Sequence, residues 1–311
     1  MCKTQYMPPR LFNWNLFEEE KNMVFNNVNE AFIFYTKQLQ FSKEAIPRGM
    51  KIKEALGVSF SILNPRDRIT NNSIRKMRLE FAFGEFFWYL RGSERLDVIE
   101  YYSKMYPRFS DDKVTVNGAY GPRIFGGENT QWERVKQLLR NDPDTRQAII
   151  SIYQPRDLFL SSADIPCTCV LQYFIRGGKL NAITYMRSND IYLGMPYDIF
   201  SFTMLQEMLA VELNVDLGVY THMVGSLHIY EKNFDIFAKL SEENECCNEQ
   251  IMPPMTKEAI EKEQISNVLQ MEQALRKNDV IDDINLIDVY WRPFINVLKE
   301  KNVRTYQMKE V

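Results

Sequence analysis

Arg187-Ser188-Asn189-Asp190-Ile191-Tyr192-Leu193-Gly194-Met195-Pro196-Tyr197-Asp198 is the stretch from which the rest of this chain can be read. Its first four residues bring together a guanidinium, a hydroxyl and a carboxyl. It then passes through a Gly-x-Pro step and ends on a second carboxyl, Asp198. Directly after it, Ile199 to Leu213 has the pattern of a strongly apolar helix. Taken alone, Asp198 reads as the N-cap of that helix, because a short carboxyl side chain accepts the free N–H groups of a first turn.

Working outward, Cys167 to Ile175, Gly177-Gly178 and Leu180 to Met186 predict a hairpin. Gln147 to Tyr153 predicts a strand after the Asn141-Asp142-Pro143 turn, and Val219 to Tyr230 predicts another. Residues 20–40 carry Val24, Val28, Ala31, Phe32 and Tyr35 at helical spacing, and residues 57–64 predict a strand. Asn71 or Asn72 is expected to cap a helix running through Met77, Leu79, Phe81, Phe86, Phe87 and Leu90. After the break at Met252-Pro253-Pro254-Met255, a polar helix is expected over Thr256 to Lys277. A second is expected over Ile281 to Lys299, with Pro293 placed to kink or restart it. Strands and helices mix without a βαβ alternation, so the expected fold class is α+β. No repeat or long linker is visible, which predicts a single domain over 1–311 with a divergent helical part at about 252–311.

Hydrophobic residues make up 45% of the 311 and aromatics 13%, enough for a large core. The net charge of -3 and pI of about 5.7 argue against a nucleic-acid platform, so local arginines must hold any phosphate. The five cysteines are an odd number with no CxxC pair or histidine-rich spacing, so no metal is expected. Cys246-Cys247 reads as a reduced surface pair. The first residues lack an apolar leader, and no window approaches ~20 apolar residues, so neither export nor a membrane is expected. The expected setting is reducing and cytoplasmic.

Several residues carry possible chemistry. Cys167 follows Pro166; a thiolate there would add to an electron-poor double bond, and nearby arginines would favour that thiolate. By itself it also reads as a buried strand cysteine. Glu85 lies in the apolar run Gly84 to Gly92, where a carboxylate needs a partner or takes a proton. His228 and Tyr230, two apart on one strand, would face the same side and suit a sugar hydroxyl. Arg146 stands just before a strand.

The order Glu85, Arg146, Cys167, Arg187-Ser188, Asp190, Gly194, Asp198, His228, Tyr230 resembles the thymidylate synthase superfamily over about 45–235. Asp198, the Cys167-Thr168 pair, the run Met186 to Asp190 and the run Val224 to Tyr230 resemble its deoxycytidylate hydroxymethylase branch, known from phages. The resemblance implies a mixed sheet packed with helices and a sheet-mediated homodimer. It implies that Cys167 attacks C6 of a pyrimidine nucleotide and that C5 takes a one-carbon unit from 5,10-methylenetetrahydrofolate. Glu85 then handles protons and ordered water, and Tyr120 stands near C5. Arg48, Arg187 and Ser188 bind phosphate, with Arg146 given across the dimer to the partner's phosphate. His228 and Tyr230 contact the 3'-hydroxyl. Asp190, Gly194 and Tyr197 fall on the folate side.

Asp198 stands where the synthases carry an asparagine that reads uracil. Cytosine offers an N3 acceptor beside an N4 donor, so a carboxyl that shares one proton with N3 complements it. Hydroxymethylation of dCMP is the expected activity. CMP as substrate, a methylase acting on dUMP or dCMP, and a non-catalytic nucleotide-binding relative are the alternatives. Three departures stand out: Gln147 replaces a second arginine, Ser226 replaces an acid, and the C-terminal helices do not resemble the synthases' short closing tail.

Overall fold

In a computed structural model, residues 23–72, 75–242, 250–280 and 283–307 are described. Cys2, Cys246 and Cys247 lie outside them, as does the start of the helix expected over 20–40. The described chain gives β1 (Met23–Phe25), α1 (Val28–Gln40), β2 (Lys43–Ala45), β3 (Ile52–Ile62), α2 (Leu79–Leu90), α3 (Leu96–Glu100), α4 (Gly121–Phe125) and α5 (Gln131–Asn141). There follow β4 (Ile149–Ser151), β5 (Thr168–Arg176), β6 (Lys179–Met186), β7 (Asn189–Asp190), α6 (Met195–Leu213) and β8 (Asp216–Tyr230). Three helices come last: α7 (Phe234–Glu242), α8 (Lys262–Lys277) and α9 (Arg292–Gln307).

The strands form one mixed sheet in the order β1-β3-β8-β6-β5-β4, with β2 beside β3 and β7 beside β8. β5 and β6 form the expected hairpin, turning on Gly177 and Gly178, both at positive φ (56° and 73°), where a Cβ would be strained. β6 and β8 are parallel, joined by α6, which packs on both. Inward positions alternate as a strand requires: Leu180, Ala182, Thr184 and Met186 on β6 and Tyr220, His222 and Val224 on β8 are buried. α6 is buried along most of its length because the sheet lies under it and other helices over it. The α+β expectation holds.

Some boundaries move. The N-terminal helix begins at Val28, capped by Asn27, whose Oδ1 accepts from Glu30 N at 2.9 Å, and Val24 belongs to β1. Neither Asn71 nor Asn72 caps α2. Asn72 Oδ1 accepts Arg75 N at 2.6 Å in a local turn, and the helix starts only after Arg78. Of the helix expected over Ile281 to Lys299, the first two residues lie outside the described ones; the described helix begins at Arg292, with Pro293 in its first turn, where a missing N–H costs nothing. The C-terminal helices join the main core: Phe294 stacks on Phe83 of α2 at 4.1 Å between ring centroids, and Trp291 packs against Phe86 and Phe87. Glu272 of α8, fully buried, takes Arg91 at the end of α2, Arg276 and the Tyr102 hydroxyl.

Candidate active site

The β5–β6 hairpin sets Cys167 beside Arg187: Thr168 pairs with Met186, and Arg187 N donates to the Cys167 carbonyl at 2.9 Å. The Arg187 guanidinium braces the segment before the thiol, with Nε on Pro166 O at 2.9 Å and Nη2 on Ile165 O at 2.8 Å. Its remaining N–H groups stay at the exposed end. Ser188 is half-buried between it and β7.

The expectation that arginines hold Cys167 as a thiolate is corrected. Burial pushes the thiol up to about 11. The Arg187 charge pulls it down, Asp198 and Asp164 push it up again, and Arg48 pulls down least. Desolvation of the charged form, the largest cause, outweighs the pull of the two arginines. Asp164, which accepts Gly118 N at 2.8 Å, is itself raised by burial. The Cys167 side chain is therefore a neutral thiol among acids.

Glu85 sits on α2 and is 6% exposed. Burial raises it from 4.5 to about 7, with the Tyr106 hydroxyl, donating at 2.7 Å to Oε1, pulling the other way. The Tyr120 hydroxyl accepts from Thr168 N at 3.3 Å and Thr168 Oγ1 at 3.0 Å, one residue from the thiol, and its ring stacks on Phe202. Thr168 thus anchors Tyr120.

Asp198 is not the N-cap of α6. The helix starts at Met195 behind Gly194, and Asp198 lies in its first turn, its Oδ2 accepting Asn189 Nδ2 at 2.8 Å. Burial holds the Asp198 carboxyl well above the usual carboxylate range, and the charges of Glu85 and Asp190 add to this. Gly194 gives this bond room: a Cβ would come to 3.1 Å of Asn189 Nδ2 and 3.2 Å of Asp198 Oδ2, a tight approach. Tyr197 is tied down by Arg78 N to its hydroxyl (3.2 Å) and by edge-on contact with Phe81.

Asp190 spends Oδ1 on the N–H groups of Tyr192 (2.8 Å) and Leu193 (3.0 Å). Its Oδ2 is buried with no hydrogen-bond partner among the described residues. A buried carboxyl oxygen left in this way is a candidate ligand contact. β7 sets Asp190 beside His228 in register. The His228 ring meets Tyr230 edge-on at 5.1 Å, and Nδ1 lies 3.2 Å from Ser226 O. Tyr230 bonds Arg48, which sits at φ 51°, a left-handed conformation unfavourable to a side chain with Cβ. Arg48, Cys167, Asp190 and Tyr230 thus lie within electrostatic reach of one another.

Arg146 is the expected residue that does not join this group. It is exposed before β4, its carbonyl accepts Gln172 Nε2 at 2.9 Å, and none of its hydrogen bonds among the described residues reaches the thiol. Sequence reading missed Tyr106, Asp164, Asn189, His222 and Glu54. Glu54 of β3 accepts the Ser226 hydroxyl at 2.6 Å, returning a carboxyl beside the position where an acid was missing. Asn189 lay inside the opening motif, and His222 is one of only two histidines, so both were open to question. Among the described residues, no group of three or more His, Cys, Asp or Glu could hold a metal ion, and no helix is long and apolar enough to cross a membrane.

Comparison with known proteins places this geometry. The thymidylate synthase family matches residues 47–289. A deoxyuridylate hydroxymethyltransferase of Bacillus phage SP01 is 33% identical over 63% of this chain and 55% of its own length. A bifunctional dihydrofolate reductase-thymidylate synthase of Paramecium tetraurelia is 40% identical over 35% of this chain and 23% of its own length. The chain thus spans about half the length of the first relative and about a quarter of the second. A thiol on a hairpin, a proton-holding glutamate on the covering helix and a family match that contains both make one conclusion: this chain belongs to the thymidylate synthase family.

Proposed function

We propose that this protein hydroxymethylates C5 of a cytidine monophosphate, dCMP foremost, with methylenetetrahydrofolate supplying the one-carbon unit and water the hydroxyl. The observation that carries the reading is Asp198, a carboxyl held well above its usual range by burial and by neighbouring acids, at the family's base-reading position. A carboxyl shifted in that direction favours its protonated form. It can give its O–H to N3 of cytosine while its other oxygen accepts from the N4 amino group. As the sulfur adds to C6, negative charge moves towards N3, and the shared proton strengthens its hold where the reaction needs it.

The other residues supply the remaining steps. Cys167 loses its proton as it forms the C6–S bond, and the nearby carboxyls and water can take it. C5 becomes the carbon nucleophile and takes the methylene. The C5 proton then departs near Tyr120 and tetrahydrofolate is expelled, which leaves an exocyclic methylene on C5. Water adds to the exocyclic methylene, and the sulfur leaves C6. Glu85, near 7, is suited to give and take protons with that water. Arg187, Ser188 and Arg48 would hold the phosphate, His228 and Tyr230 the 3'-hydroxyl, and Asp190 with Gly194 and Tyr197 the folate side. Arg146 would serve the phosphate of a second copy.

A second reading keeps this chemistry but takes dUMP, and the similarity to a deoxyuridylate hydroxymethyltransferase of phage SP01 favours it. The experiment offers dCMP, CMP and dUMP, each tritiated at C5, with methylenetetrahydrofolate. It follows tritium release and weighs the products. Fastest release from dCMP with a hydroxymethyl product is expected. Release from dUMP alone supports the second reading, and a methyl product formed with one dihydrofolate per turnover overturns hydroxymethylation.

A further inference from the structure

Behind Asp198 runs a line of buried polar groups with no part in the steps above. Asn189 Nδ2 donates to Asp198 Oδ2 at 2.8 Å. Asn189 Oδ1 lies 3.0 Å from His222 Nε2, and His222 Nδ1 lies 2.9 Å from the Tyr220 hydroxyl, which also bonds Thr184. Asn189 is 3% exposed, and the other three are at most 1% exposed. The sheet makes the line: Thr184 of β6 faces His222 of β8 in register, and β7 joins β8 one step further along.

Each link fixes the next. His222 is buried, which pushes its pKa down to about 3, so the ring is neutral with one N–H and one lone pair. If Asn189 gives its NH₂ to Asp198, its carbonyl oxygen must face His222. His222 then carries its proton on Nε2 and accepts the Tyr220 hydroxyl on Nδ1. Reversing one link would reverse all of them. The direction reaches Asp198 because Oδ2 receives a donor and behaves as the carbonyl oxygen. The carboxyl proton then belongs on Oδ1.

We propose that Asn189, His222 and Tyr220 are positioning residues that keep the Asp198 proton on Oδ1 and so set which pyrimidine the site accepts. A neutral carboxyl complements cytosine when the oxygen facing N3 carries the proton, and uracil when the oxygen facing O4 carries it. The two arrangements are exchanged by moving one proton or rotating the carboxyl. The Asn189 bond opposes both. Gly194 leaves the room that this bond needs, since any larger residue would press on both of its ends. The inference rests on the proposed base-reading role of Asp198.

The test has three arms. With two histidines in the chain, long-range ¹H–¹⁵N correlation can read the tautomer of His222 in the wild-type protein around neutral pH. The Nε2–H form is expected, and the Nδ1–H form overturns the proposal whatever the substrate. Tyr220→Phe keeps the ring but frees His222 to turn over its proton. The kcat/KM ratio of dCMP to dUMP should fall about five- to ten-fold, the worth of one hydrogen bond. A merely structural residue would slow both substrates alike, so an unchanged ratio also overturns the proposal. Asp198→Asn separates the two layers. If it leaves base preference intact, the base-reading role is wrong. If it moves preference while Tyr220→Phe does not, only the relay is wrong.

Discussion

The thiol of Cys167 has Arg187 and Arg48 on one side of its charge balance and Asp198 and Asp164 on the other, with desolvation tipping the result. Cys167→Ser should abolish turnover while a nucleotide still binds with a Kd within a few-fold of wild type, since the phosphate and base contacts remain. Isothermal titration beside a tritium-release assay checks this, and near wild-type turnover in the mutant would remove the sulfur from the reaction. Glu85 makes a prediction of a different kind. Its native pKa is raised, from 4.5 to about 7, so between those values the native state keeps a proton that the unfolded chain has lost. Stability is therefore present below the lower value and falls as pH rises through the window. A shift of this size corresponds to ~3 kcal/mol. Glu85→Gln should remove most of that slope and be the more stable protein at pH 8, while losing roughly 10²-fold or more in turnover. Urea titrations at pH 5 and pH 8 decide it: parallel behaviour of mutant and wild type would mean that another group titrates.

Helix α2 carries Glu85, and α9 holds α2 in place. Phe294, 2% exposed, stacks on Phe83 and meets Phe87 and Trp291. Phe294→Ala should cost about 3–5 kcal/mol in denaturant unfolding. A loss below about 1 kcal/mol would mean that α9 contributes little to the core. What the sequence reveals of the elements depends on where their causes lie. The β5–β6 hairpin and α6 are legible because alternation, paired glycines and an unbroken apolar run are local signals. The start of α2 is not, because no side chain caps it and Arg78 N is instead satisfied by Tyr197 from another element. The site divides the same way. Glu85, Cys167, the Arg187–Asp198 run and His228–Tyr230 can be read because each sits in a contiguous motif. The Asn189–His222–Tyr220 line depends on the parallel pairing of two strands, and the neutral state of Cys167 on a sum of burial and neighbouring charges, so neither has a sequence signature.

On the scale of the molecule, the sheet has one face under helices and one that α6 does not touch. Along the second face, Ile149, Gln172, Ile183 and Thr221 form one cross-strand row, and Val170, Tyr185 and Met223 the next. Ile149, Tyr185 and Met223 are each about 40% exposed, an apolar surface suited to a second copy. Arg146, exposed just before Ile149, is the residue that the proposed function assigns to that copy's phosphate. Mixing inactive Arg146→Ala and Cys167→Ser proteins should then restore activity, because one hybrid site carries both defects and the other neither. Activity that stays at zero after verified subunit exchange would refute the shared site, as would a fully active monomer in sedimentation. The same architecture sets a timetable for biosynthesis. Arg91, at the end of the Glu85 helix, waits for Glu272, 181 residues later in the chain. At ribosomal speeds that is a delay of roughly 10–40 s. Throughout it Phe83, Phe86 and Phe87 lack the cover of Trp291 and Phe294, so a chain released early would leave the ribosome adhesive, with its reaction centre half assembled.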